Sequence, residues 1–197
     1  MKKETKRIFL LFARYLFMIL IALPNLYLFY LIFTPATVYF IYYILNSFLE
    51  VTLFKSIFIF NGFSVEIIPA CVAGAAYYFL LALNLAVPKI RPKKRLYMVG
   101  FAFASLFIFN VLRILVLMLV LSLSYSAGSL ALFDLIHQGF WYAMNVLVVV
   151  AIWFAEVKIF NVKEIPVYND IKFLYKKSLF SKSKKSKAKH QKSKKRN

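Results

Sequence analysis

Three residues in this chain have the chemistry of a reactive site: Cys71, Arg113 and His137. Cys71 is the sole cysteine among 197 residues. That excludes an internal disulfide, a CxxC redox pair and a cysteine-rich zinc site. A thiol at the start of a helix feels the positive end of the macrodipole, and a nearby guanidinium favours thiolate further. A histidine can take the thiol proton and return it to a leaving amine. Arg113, or backbone N–H groups of the Cys71 turn, can stabilise the oxyanion of a tetrahedral intermediate. The product of such a set is a thioester acyl-enzyme. No metal or cofactor site is legible in the sequence.

Each residue also has a plainer reading. A lone cysteine in an apolar helix is commonly a small buried residue. A lone histidine at a helix start serves equally well as a structural polar group. Arg113 is harder to dismiss. It lies in the apolar run from Ser105 to Leu121, where the other polar residues are Ser105 and Asn110. A cation at the centre of a membrane helix costs roughly 2.5–3.5 kcal/mol, and arginine cannot escape that cost by deprotonating. It needs a route to the interface or a partner that uses its charge.

The elements that must position these residues are membrane helices. Hydrophobic residues make up 62% of the chain and mean hydropathy is +0.73. The expected fold is an all-α polytopic membrane protein. It has about four spans, an interfacial or re-entrant helix and a short extracytoplasmic β-hairpin. Residues 8–33 read as an uncleaved first anchor, in which Arg14 can snorkel to the interface. Thr34-Pro35 then reads as a break, and residues 34–54 as the interfacial segment. Asn61-Gly62 between two β-branched and aromatic runs predicts a hairpin over 56–68. Pro69 opens a span over residues 70–87 that carries Cys71 in its first turn. Residues 96–124 form a span with Arg113. Asp134 caps a last span that runs to about residue 154 and contains His137 in its first turn.

Net charge is +19, and most of the positive charge sits at the N-terminus, in the loop Lys89–Arg95 and in the tail from Lys172. By the positive-inside rule all three are cytoplasmic, and four spans satisfy this. Arg113 then lies 17 residues into an outward-running helix, about 26 Å at 1.5 Å per residue. Cys71 and His137 each begin an inward-running one. All three fall near the outer face of the cell membrane, in a membrane domain of residues 1–160 whose motif region is 69–156. Asn110 lies one turn from Arg113 on the same face, and Asp134 one turn from His137. Asn110, Asp134 and Glu66 either orient the site or cap and pack. Residues 161–197 read as a basic, disordered cytoplasmic tail that meets anionic headgroups. Its want of interleaved aromatics after Phe180 argues against specific nucleic-acid binding.

Three short motifs in order resemble those of the exosortase/archaeosortase family. They are Cys71-Val-Ala-Gly74 after Pro69-Ala70, Asn110-Val-Leu-Arg113-Ile114, and His137-Gln138-Gly139. The basic loop between the cysteine and arginine spans also matches, and the resemblance covers roughly residues 56–156. Cys71-Val-Ala-Gly74 has one more residue between cysteine and glycine than the commonest form. The resemblance implies a membrane cysteine peptidase or transpeptidase, with Cys71 as nucleophile, Arg113 as charge stabiliser, His137 as acid/base and Gly74 in the cysteine motif. Its implied substrates are secreted proteins with a C-terminal sorting signal: a short motif, a transmembrane helix and a basic end. A membrane lipid is the implied acceptor of the new C-terminus. The compact form points to an archaeosortase-like member. Two other readings compete: an Oxa1/YidC-like insertase, which also has an intramembrane arginine and a basic tail, and a non-enzymatic membrane scaffold. Neither uses Cys71 or His137.

Overall fold

The computed structural model describes residues 3–23, 25–60, 62–88, 90–126, 130–162, 171–172 and 174–175. The structure is mostly helical, with a small three-stranded antiparallel sheet. In chain order the elements are α1 (Lys3–Ala22), α2 (Tyr27–Asn46), β1 (Thr52–Phe54), β2 (Ile57–Phe60), β3 (Phe63–Glu66), α3 (Pro69–Val72), α4 (Gly74–Ala86), α5 (Pro92–Ser126), α6 (Ala131–Ala143) and α7 (Val149–Ile159). A π-helical turn, Met144–Val148, joins α6 to α7 without a break in direction. Among the described residues, three stretches are long and apolar enough to cross a membrane: Tyr27–Asn46, Pro92–Tyr125 and Phe133–Ile159. They mark a multi-pass membrane protein. Large apolar side chains such as Leu112, Leu119 and Leu135 are more than half exposed, as lipid-facing residues are.

Two expectations for the first fifty residues need correction. The apolar run over 8–33 is not one helix. The chain turns where Asn25 and Leu26 both adopt positive φ, which ends α1 and lets α2 begin. Thr34 and Pro35, expected to break the helix, lie inside α2. Proline removes one backbone N–H and crowds the carbonyl four residues before it. A helix among apolar neighbours absorbs that loss because no water competes for the remaining ladder. Residues 34–46 are therefore helical and continuous with Tyr27, rather than a separate interfacial segment.

The predicted hairpin is present, with an additional strand before it. β2 pairs β3 in a register that sets Phe60 opposite Phe63, so the loop has two residues, and Gly62 takes φ +81° as such a turn requires. β1 pairs β2 through a second tight turn, at which Lys55 is left-handed. Alternation along β2 turns Phe58 and Phe60 inward. They pack on Val38 and Ile41 of α2, Val72 of α3, and Val111, Ile114 and Met118 of α5.

A second cluster joins Phe29 of α2, Tyr77 and Leu80 of α4, Ala102 and Leu106 of α5, and Val149 and Ile152 at the start of α7. Passing from this cluster to the one under the sheet, α2 and α5 ascend in residue number while α3–α4 descends. The bundle is thus antiparallel. Far from the sheet, Asn84 of α4 donates to Glu156 of α7 at 3.0 Å, a buried polar tie between those two helices.

The expected span over 70–87 is divided. α3 is a single turn, and Ala73 then adopts φ +60°, ψ +39° before α4 begins at Gly74. The N–H groups of Ala76 and Tyr77 both donate to the Ala73 carbonyl, which starts a new ladder. A left-handed L-residue costs roughly 1–2 kcal/mol that glycine does not. Ala73→Gly should therefore raise stability by about 1 kcal/mol, whereas the same change at Ala82, inside α4, should lower it by about 0.5–1 kcal/mol. Thermal unfolding of the detergent-solubilised protein reads both signs.

Candidate functional site

The Cys71 turn is held by α5. Asn110 Nδ2 and Arg113 Nη2 both donate to the backbone carbonyl of Cys71, each at 3.0 Å. Their spacing of three residues places them on one face of α5. The break at Ala73 is what makes that carbonyl available. In an unbroken helix it would accept from the N–H of Ala75. Asn110 is fully buried and Arg113 is 6% exposed, so both donors are committed in a dry setting. The Arg113 bond is charge-assisted, and such bonds are about twice as strong as neutral ones like that of Asn110.

One cavity of about 190 Å³ gathers the three expected residues. Cys71 from α3, Arg113 from α5 and His137 from α6 all line it, together with Glu66 at the end of β3. Cys71 is half-buried, while His137 and Glu66 are exposed. The Phe133 ring lies 5.3 Å from the His137 ring, centroid to centroid, and limits its rotation from one side. The walls between these groups are aliphatic, mainly Ile67, Ile114, Leu117 and Met118.

The detailed geometry changes two roles expected from the sequence. Cys71 is the third residue of a four-residue turn, too short to carry the macrodipole of a full span. The Cys71 N–H donates to the Ile68 carbonyl at 2.9 Å, so it is already engaged. Arg113 is better placed to meet an oxyanion. It carries five N–H donors, and its Nε is buried without a partner among the described residues.

The remaining expected residues are placed as follows. Asn110 acts on the Cys71 backbone, as above. Gly74 does not line the Cys71 cavity. A Cβ there would stand 2.6 Å from the Tyr30 ring, so glycine permits α2 and α4 to approach closely. Asp134 is exposed on α6 and is not among the residues lining the cavity. Glu66 was undecided between orienting and packing, and β3 carries it into the cavity wall. Its signal in the sequence was positional: an acid three residues before the proline that opens the cysteine turn. The tail beyond residue 175 lies outside the described residues, as do residues 163–170. No family model, curated protein or solved structure matches the chain.

The geometry separates charge from scaffolding. Arg113→Met removes the guanidinium but leaves Asn110 on the Cys71 carbonyl. It should slow alkylation of Cys71 by neutral iodoacetamide by about tenfold or more, because a neighbouring cation stabilises an anionic nucleophile. Asn110→Ala keeps the charge and should cost about 1–2 kcal/mol of stability through the lost hydrogen bond. With one thiol in the protein, the alkylation rate reports Cys71 without interference.

Proposed function

We propose that this protein is a membrane-embedded cysteine peptidase or transpeptidase, similar in chemistry to the exosortase/archaeosortase family. It cuts C-terminal sorting signals of secreted proteins at the outer face of the membrane and passes the new C-terminus to a lipid. The observation that carries this reading is the shared cavity of Cys71, Arg113 and His137, contributed by three separate helices.

The steps balance on these side chains. His137 takes the Cys71 proton, and the sulfur attacks the scissile carbonyl carbon. The carbonyl oxygen becomes an oxyanion beside the Arg113 guanidinium. Collapse breaks the C–N bond, and the leaving amine takes the proton from His137. The product is a thioester on Cys71. A lipid nucleophile then gives its proton to His137 and attacks the thioester, which frees the thiol. The largely aliphatic wall limits water, and that favours transfer over hydrolysis.

The topology proposed with this chemistry has four crossings: α2 outward, α3–α4 inward, α5 outward and α6–α7 inward. It keeps the basic loop over 89–95 and both termini cytoplasmic, with the basic tail on anionic headgroups. The first crossing is thus residues 27–46, and α1 is left as a shorter helix whose apolar part is residues 8–22. The sheet and the Cys71 cavity lie together at the outer end.

Co-expression with a tagged secreted protein that ends in a motif, a transmembrane helix and a basic end tests the reading. Cys71→Ala should leave the full-length precursor uncut while the variant still accumulates in the membrane. A normal processed band with Cys71→Ala would sink the proposal.

A further inference from the structure

A single carboxylate reaches the Cys71 cavity. Glu66 is the last residue of β3, and the chain passes from it through Ile67 and Ile68 directly into the Cys71 turn. Among the residues lining the cavity it is the sole acid. It is exposed, and its carboxylate makes no hydrogen bond or ion pair with any described residue. Arg113 is buried and is tied to the Cys71 carbonyl. The cavity is therefore graded: the guanidinium is buried, the thiol half-buried, and the carboxylate and imidazole exposed at its edge. A sphere of the cavity's volume is about 7 Å across, so groups on facing walls lie within reach of one bound residue.

His137 needs a group to orient it if it is to accept a proton from a thiol. Nucleophile, base and orienting group recur as a set because a free imidazole can rotate and can hold the wrong nitrogen toward the nucleophile. On its own helix, Phe133 stacks against the ring, and Asp134 is exposed outside the cavity lining. Across the cavity the charged or titratable groups are Cys71 from α3, Arg113 from α5 and Glu66 from β3. Of these, only Glu66 can accept a hydrogen bond from a protonated or neutral ring N–H without competing for the transferred proton's donor.

We infer that Glu66 is the positioning residue for His137 during the reaction: the two line one cavity unbonded at rest, and the exposed carboxylate turns to the imidazole and balances its charge once it has taken the Cys71 proton. This rests on the reading of Cys71 and His137 given above. It also gives the sheet a role in the chemistry, since pairing of β3 with β2 fixes where the carboxylate lies.

The sign of one experiment separates this role from a direct effect. A carboxylate acting straight on Cys71 disfavours thiolate, so its removal would speed alkylation. A carboxylate acting through His137 favours the thiolate–imidazolium pair, so its removal slows alkylation. The test measures alkylation of the full-length, detergent-solubilised protein by neutral iodoacetamide near neutral pH. Glu66→Gln should slow the reaction about three- to tenfold, and Glu66→Asp should recover part of the loss. In a His137→Ala background, Glu66→Gln should cause no slowing. Acceleration with His137 present would overturn the inference. So would equal slowing in both backgrounds, or the same coupling appearing for Asp134→Asn in place of Glu66→Gln. Coupling of Glu66 to His137 without cleavage of any sorting signal would retire the peptidase reading and leave the pair standing.

Discussion

Two side-chain donors on one helix hold one backbone carbonyl on another, and the architecture around Cys71 follows from that contact. Asn110 and Arg113 can reach the Cys71 carbonyl only because the helix breaks at Ala73. The break needs a left-handed residue, and the close approach of Tyr30 to Gly74 packs α2 against it. The sheet then covers the other side, with Phe58 and Phe60 against Val72 and Ile114. Removing the break would return the carbonyl to a helical ladder and leave two buried donors on α5 without an acceptor. An unsatisfied buried donor costs about 1–3 kcal/mol, and more when it is charged.

The same contact explains how an arginine is tolerated in an apolar helix. Its charge faces a carbonyl dipole and a thiol rather than a carboxylate. A carboxylate partner would neutralise it, and the site would lose its field. A carbonyl fixes the guanidinium while leaving its charge available. Nε remains unpartnered among the described residues, which is a cost in the resting protein. The opposite end of the bundle is treated differently. There Asn84 and Glu156 bond to one another in full burial, far from any of the reactive groups, and act as a tie between helices.

Much of this was legible in the sequence, and the misses have physical causes. The runs that became α5 and α6–α7 are apolar enough to be read by composition. The Asn61-Gly62 pair marked the hairpin, because a two-residue loop demands positive φ. The spacing of Asn110 and Arg113 gave a shared helix face, but nothing in the sequence said that the face would meet a backbone carbonyl. The break at Ala73 was invisible because glycine, the usual left-handed residue, stands one position later, where it serves packing instead. Pro35 misled for the opposite reason: proline ends helices in water far more reliably than it does among apolar neighbours. β1 was missed because three residues and a Lys-Ser turn carry little periodicity. Glu66 was visible as an acid but not as a neighbour of His137, since strand pairing rather than local sequence decides where it lands.

The proposed chemistry puts a covalent acyl intermediate on Cys71, in the cavity it shares with Arg113 and His137. Mass spectrometry of the intact protein, quenched in acid during turnover of a sorting-signal substrate, tests it most directly. The predicted result is a hydroxylamine-labile adduct on the peptide containing Cys71, with the mass of the acyl portion of the substrate that ends at the new C-terminus. Turnover with no adduct at Cys71, or with the fragment attached to another residue, would contradict it.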